Sequence, residues 1–381
     1  PEFKAFVESL QQEMDGLVST MPHRLDVDFE AYNPVNFFHA LRLQAPEKDE
    51  PRTLEEMGTG EQQVLALAFA HAYAKAFHGG LVLIVEEPEA HLHPLAQQWL
   101  GYRLRSQCRE GLQLVITTHS PAFVDVEGLE GLVLVHKKQG QTRVYQLSRC
   151  NLVAKCIELG VPEAKVTVDN VLPFYAANAT TDLLSGFFAR AVVLVEGPTE
   201  VLALPRLLAK RGLQVEREGI AVLGVGGKGN LTKWYRLYTA YGIPCYIVFD
   251  NDSRDARSGN QRKDALRTVG VRDAECDQLI DTDAWVVEER YTIFGKDFEH
   301  SLRSNFGHYA TLESQAKQYG IDSKPFVARW VVDRLDSHSD DPGWGKVEEM
   351  VKYLRCMIQE EKGPRVEVPE VEMVDEEDIP F

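Results

Sequence analysis

The sequence predicts an α/β protein whose parallel sheets are flanked by helices, and three observations lead there. First, Leu81-Val-Leu-Ile-Val85, Ala191-Val-Val-Leu-Val195 and Ile243-Pro-Cys-Tyr-Ile-Val-Phe249 are short continuous apolar runs, the pattern of strands buried on both faces. Second, helical stretches follow such runs, which is the alternation of βαβ units. Third, each run closes on paired acids: Glu86-Glu87, Glu196 with Glu200, and Asp250 with Asp252. In open parallel sheets ligands sit beyond the carboxyl ends of the strands, so the last two pairs fall where a site is expected.

Taken in order, the chain gives little chemical signal before Pro51, although Asp26-Val-Asp-Phe29 and Asn36-Phe-Phe-His-Ala-Leu-Arg-Leu43 suggest short strands. Met57-Gly-Thr-Gly-Glu-Gln-Gln63 then leads into a long Ala-rich helix that ends at Gly79-Gly80. After the Leu81–Val85 strand, Glu89-Ala-His-Leu-His-Pro94 runs into a helix to about Arg109. His91 and His93 precede a proline and lack a third ligand, which weighs against a metal pair. Leu112-Gln-Leu-Val-Ile116 reads as another buried strand and ends in Thr117-Thr-His-Ser-Pro121. Residues 131–135 and 142–147 suggest a hairpin closing this first part, 1–150.

Residues 151–188 read as a helical connector interrupted by Pro162 and Pro173, and a catalytic α/β domain is expected over 189–310. Within it, Gly219-Ile-Ala-Val-Leu223 is a strand leading to Gly224-Val-Gly-Gly-Lys-Gly229. Ser253 to Asp273 is polar and charged, and Ala284-Trp-Val-Val287 reads as the last strand of the sheet. A helical segment, 311–363, and an acidic tail, 364–381, complete the chain.

The acids carry the chemistry. Asp250 and Asp252 are two residues apart, so in strand geometry both side chains leave the same face. Glu200 lies one turn into a helix opened by Gly197 and Pro198, which turns it back towards Glu196. Four converging carboxylates raise one another's pKa unless cations neutralise them, and oxygen ligands favour Mg²⁺ or Mn²⁺. A rival reading is a dinucleotide-binding oxidoreductase, because Gly224, Gly226 and Gly229 fit G-x-G-x-x-G after a strand, with Asp250 about twenty residues on. That unit normally opens its domain, whereas Val195-Glu-Gly-Pro-Thr-Glu200 precedes it here, and one ribose-binding acid leaves Glu196, Glu200 and Asp252 unexplained.

Val195-Glu-Gly-Pro-Thr-Glu200 followed by Phe249-Asp-Asn-Asp252 resembles the Toprim (topoisomerase-primase) motif set, and the surroundings are most similar to the OLD (overcoming lysogenization defect) nucleases. The upstream half resembles the second half of an ABC ATPase. Residues 57–63 resemble its signature, with Thr59 where that family usually has serine and Gly60 beside it; Glu86-Glu87 resembles a Walker B motif, with Glu86 where aspartate is usual; and His119 resembles the switch histidine. The ATPase resemblance implies that Glu87 orients the attacking water and Glu86 holds Mg²⁺. No G-x-x-x-x-G-K-[ST] is present, so the chain is expected to be a C-terminal piece of a longer protein and a poor ATPase by itself, with ATP used by the full-length protein only.

The resemblance implies a two-metal DNA endonuclease coupled to the ATPase. It carries over Glu196, Glu200, Asp250, Asp252, Asp297 and Glu299 as ligands of two Mg²⁺ or Mn²⁺ ions. It also makes Lys324 a charge stabiliser near the scissile phosphate and Lys228 a phosphate contact. An ATP-gated DNA clamp without cleavage is the alternative of a different class. DNA is the expected partner. A signature segment that acts on ATP held by another subunit implies a homodimer or higher oligomer.

Composition sets outer limits. There are 381 residues, enough for two or three domains, and 44% are hydrophobic. No apolar run suits a membrane span and no signal pattern appears, so a cytoplasmic location is expected. The six cysteines form no C-x-x-C pair, against both a disulfide framework and a zinc knuckle. A net charge of −17 demands that any DNA contact rest on a local basic patch. The tail ends in Asp375-Glu-Glu-Asp-Ile-Pro-Phe381, which resembles the acidic tip of bacterial single-stranded-DNA-binding proteins and implies a helicase or repair protein as a further partner.

Overall fold

The computed structural model describes residues 6, 8–13, 26–29, 41–47, 50–52, 58–77, 82–109, 112–138, 140–252 and 259–359. Met57 of the signature-like segment and the acidic tail lie outside them. The chain divides into two compact units, Pro1–Val124 and Asp125–Phe381.

In the first unit, strands β1 (Asp26–Phe29), β2 (Leu41–Glu47) and β3 (Glu50–Arg52) pair antiparallel in that order. Helix α1 (Thr59–Phe77) is followed by β4 (Val82–Glu86), α2 (Pro94–Arg109) and β5 (Gln113–Thr117). β4 and β5 pair in parallel with Glu86 opposite Thr117, as a βαβ unit requires. Val64, Leu65 and Ala68 of α1 share a core with Leu100 and Leu104 of α2. A Cβ on Gly101 would lie 2.6 Å from the Ala122 carbonyl oxygen, so only glycine lets α2 approach that segment.

The second unit opens with the hairpin β6 (Val133–Lys138) and β7 (Gln141–Gln146). The Tyr241 hydroxyl donates to the carbonyls of Leu129 and Leu132 at 3.3 and 3.4 Å, and Gly242 takes φ +72° against the Tyr145 ring. The hairpin expected to close the ATPase half therefore packs in the second unit. Helices α3 (Arg149–Glu158), α4 (Pro173–Asn178) and α5 (Thr181–Ser185) follow, in the region expected to be a helical connector.

Five strands then form one sheet: β8 (Ala191–Val195), β9 (Ile220–Gly224), β10 (Cys245–Asp250), β11 (Val286–Val287) and β12 (Tyr291–Phe294), in the order β11-β12-β10-β8-β9. Four are parallel, and only β11 runs antiparallel, at the edge. Ala284–Val287 was the expected last strand; two of its residues pair, and Tyr291–Phe294 takes the place beside β10. Tyr246 decides this, because its hydroxyl lies 2.8 Å from the Tyr291 carbonyl and 2.8 Å from Thr292 Oγ1.

Helices α6 (Pro198–Ala209), α7 (Lys228–Ala240), α8 (Gly259–Thr268), α9 (Asp273–Ile280), α10 (Phe298–Asn305), α11 (Tyr309–Gln318), α12 (Lys324–Arg334) and α13 (Gly343–Gln359) accompany the sheet. β8 is buried at every residue. α6, α12 and α13 share its core through Leu204, Leu207, Val331 and Val351, among others. The chain passes from β8 to β9 on one side and returns to β10 on the other. The carboxyl ends of β8 and β10 thus flank a topological switch point, where an open α/β sheet leaves a crevice.

Candidate active site

Glu196 directly follows β8 and Asp250 ends β10, and the parallel register brings them together: Glu196 Oε1 accepts the Asp250 N–H at 2.8 Å. Glu200 is in the first turn of α6 and its Oε2 accepts the Gly197 N–H at 3.1 Å, which turns the side chain back as its position in the helix predicts. Glu299, in the first turn of α10, is 9% exposed, and its Oε2 pairs with Lys324 Nζ at 2.9 Å. Asp252 adopts φ +50° just past β10, and its Oδ2 meets Lys228 Nζ at 2.5 Å. Asp297 caps α10, with Oδ1 accepting the His300 N–H at 2.7 Å. Its carboxylate serves the helix end.

The electrostatics show how closely the acids stand. Burial pushes the Glu200 carboxyl up to about 7, and the charges of Glu196 and Glu299 push the same way. Burial also holds Asp250 well above the usual carboxylate range, reinforced by Glu200 and Glu196 and opposed by Lys228. Glu196 is raised by burial against the Lys228 charge, and Glu299 by burial against Lys324. Burial works against charge on Lys324, yet its hydrogen bond and ion pair with Glu299 raise its pKa.

A cation fits this donor set. Asp250 Oδ1 and Glu299 Oε1 are buried without a hydrogen-bond partner, and an orphaned carboxylate oxygen is costly unless a cation or donor meets it. All-oxygen ligands suit Mg²⁺ or Mn²⁺. Among the described residues, no three His, Cys, Asp or Glu side chains converge closely enough to hold a metal ion as they stand. The Lys228 ammonium bridges Glu196 and Asp252 instead.

In the first unit Glu87 leaves β4 with φ +44°, donates its N–H to the Thr117 carbonyl at 2.8 Å, and has Oε1 3.5 Å from His119 Nε2. Glu86 ends the strand, exposed. Glu89 Oε1 accepts from Thr118 Oγ1 and from the His119 N–H, both at 2.7 Å, so it fixes the loop that carries His119. Thr59 and Gly60 open α1, where a Cβ on Gly60 would lie 3.0 Å from the His91 carbonyl. His93 Nδ1 accepts the Leu95 N–H at 3.3 Å at the start of α2, a structural task for one of the two histidines.

Two family models match the chain. The one described as overcoming lysogenization defect protein-like, TOPRIM domain, covers residues 187–252, which hold Glu196, Glu200, Asp250 and Asp252. Residues 187–252 thus match an OLD-like Toprim domain. The other, described as an AAA domain, putative AbiEii toxin, Type IV TA system, covers residues 8–125 and ends where the first compact unit does. The OLD nuclease of Thermus scotoductus is 29% identical over 253 residues, 65% of this chain and 46% of that protein. The Old nuclease of Escherichia phage P2 is 27% identical over 250 residues, 63% of this chain and 40% of that protein. The chain thus spans less than half the length of these curated relatives. Among solved structures, the C-terminal region of the Xanthomonas campestris pv. campestris OLD protein is 19% identical, covering 45% of this chain and 98% of that one, at a TM-score of 0.35.

The Toprim domain also uses residues to which sequence reasoning gave no role. Asn251 is fully buried between the two aspartates; its Nδ2 donates to the Ile280 and Thr282 carbonyls at 2.9 and 2.7 Å. Arg262 Nη1 donates to Asn251 Oδ1 at 2.9 Å and to the Asn251 carbonyl. Strand alternation sends Asn251 away from Asp250, a signal present in Asp-Asn-Asp. Nothing in the sequence points to Arg262. Lys228, expected to contact phosphate, has a side chain only 3% exposed and faces the acids.

Proposed function

We propose that the Toprim domain is a metal-dependent DNA endonuclease that hydrolyses phosphodiester bonds with two divalent ions, Mg²⁺ or Mn²⁺. Glu196, Glu200, Asp250, Asp252 and Glu299 would hold them. The observation that carries the reading is the pair of partnerless buried oxygens, Asp250 Oδ1 and Glu299 Oε1, within a carboxylate cluster at the switch point of a parallel sheet. Bound there, the ions would activate water and neutralise charge on the phosphate and the leaving oxygen. The protein's part is to hold the acids ready. Glu196 ties the end of β8 to the end of β10, Arg262 and Asn251 fix the backbone between the aspartates, and Lys324 brings a positive charge to Glu299. The similarity to two OLD nucleases, 29% and 27% identical over less than half of their length, supports the same reading.

In a longer protein containing this chain, the AAA unit would bind ATP and regulate cleavage, with a dimer or higher oligomer bringing a signature segment to a neighbour's nucleotide. No described helix is long and apolar enough to cross a membrane. The deciding experiment is conversion of supercoiled plasmid to nicked circles. Cleavage with Mg²⁺ or Mn²⁺, none in EDTA, and loss in Asp250→Ala are expected. Undiminished cleavage by Asp250→Ala would refute the assignment.

A further inference from the structure

Lys228 begins α7 directly after Gly226 at φ +73° and Gly227 at φ +116°, conformations that side-chain-bearing residues rarely adopt. The Gly227 N–H is bonded to the Glu196 carbonyl at 2.9 Å, which pins this turn against the end of β8. The glycines deliver the lysine inward. Its ammonium has three N–H donors and meets three oxygens: Asp252 Oδ2 at 2.5 Å, Glu196 Oε1 at 3.3 Å, and the Asp250 backbone carbonyl. A buried lysine is tolerated only with such pairing, and these partners belong to the carboxylate centre itself.

We propose that Lys228 is an internal counter-ion that competes with divalent metal: it neutralises Glu196 and Asp252 in the metal-free protein and must leave them before a second ion can be held there. The inference rests on the metal-dependent reading above. The two sides of the centre differ. Asp250 Oδ1 and Glu299 Oε1 lack partners, so a first ion entering there displaces no bond of Lys228, and the Lys324 ammonium on the other oxygen of Glu299 is 60% exposed and free to swing into water. Glu196 Oε1 and Asp252 Oδ2 already hold the ammonium, and a dication using them would face a like charge at close range with little water between. Metal loading is therefore stepwise, and the weaker step measures the displacement of Lys228. Only the displaced lysine is free to meet a phosphate.

The test is a Mn²⁺ titration of the full chain and of Lys228→Met, followed by calorimetry, with thermal unfolding in EDTA and in saturating Mn²⁺. Lys228→Met is expected to tighten the weaker step by about tenfold or more. It should also melt below the unmutated chain in EDTA, with the gap closing in Mn²⁺. Equal or weaker Mn²⁺ binding by Lys228→Met, with the unmutated chain binding normally, overturns the counter-ion role alone. No Mn²⁺ binding by the unmutated chain overturns the metal reading with it. Should Lys228→Met fail to fold, ¹⁵N-lysine-labelled unmutated protein gives the answer. A protected ammonium resonance in EDTA that shifts or is lost on adding Mg²⁺ supports displacement, and one unchanged at saturating Mg²⁺ overturns it.

Discussion

Glu200 sets a pH dependence that metal should erase. Its folded-state pKa is about 7 against an ordinary 4.5, so the folded protein keeps a proton that the unfolded chain has already released. Stability in EDTA therefore falls as pH rises between those two values and levels off above them, and the raised Asp250, Glu196 and Glu299 act in the same direction. Glu200→Gln should stabilise the metal-free protein at pH 8 by on the order of 3 kcal/mol and give no advantage below pH 4.5, measured by urea midpoints. An unaltered pH profile would remove Glu200 as the group responsible. Lys324 answers a different assay. Its charge beside Glu299 should act on the phosphate in the transition state, so Lys324→Ala should slow plasmid nicking by about 10²–10³-fold. Mn²⁺ affinity should change little; equally weakened metal binding would make Lys324 a structural partner of Glu299. At this scale the acids were legible because paired carboxylates after buried strands have few other uses. The inward direction of Lys228, onto Glu196 and Asp252, was not legible, because it depends on two glycine φ angles that a motif does not encode.

Among elements, β8 and β10 were legible from their apolar runs, whereas the partner of β10 was not. Residues 284–287 and 291–294 are both short and apolar, and periodicity cannot choose between them. Tertiary contacts choose. The Tyr246 hydroxyl holds the Tyr291 carbonyl, and Gly295 lets the chain turn so tightly that a Cβ there would lie 1.8 Å from the Asp283 carbonyl oxygen. Gly295→Ala should therefore displace the β11–β12 edge and cost about 3 kcal/mol or more in denaturant unfolding. Near-normal stability would show that this edge shifts at little cost. α10 illustrates a residue doing what its position predicts: Asp297 caps the helix through Oδ1, while Glu299 in the first turn pairs with Lys324.

For the whole molecule, the AAA unit and the Toprim domain were separable by motif, but the hairpin between them was not. Its alternation fits either neighbour, and Tyr241 and Gly242 settle it from far along the chain. Function should divide similarly. If cleavage belongs to the Toprim domain, Glu87→Gln should leave nicking by this chain near the unmutated level without ATP, even though Glu87 stands 3.5 Å from His119. A large loss would mean that the AAA unit supports cleavage by some route other than hydrolysis.

The register of β8 governs when the centre can exist at all. Val192, Val193 and Leu194 are fully buried and paired on both sides, by β9 and by β10. Their amide protons should be among the slowest in the chain to exchange with solvent, opening only when the sheet comes apart. Glu196 hangs from the end of that strand, its backbone partner Asp250 lies 54 residues later, and Glu299 lies further still. A chain emerging from the ribosome thus carries Glu196 and Glu200 well before the acids they stand beside. The last acids of the cluster appear only after β10 has been synthesised and has docked, so any metal-dependent activity that the cluster supports would wait until the sheet has formed.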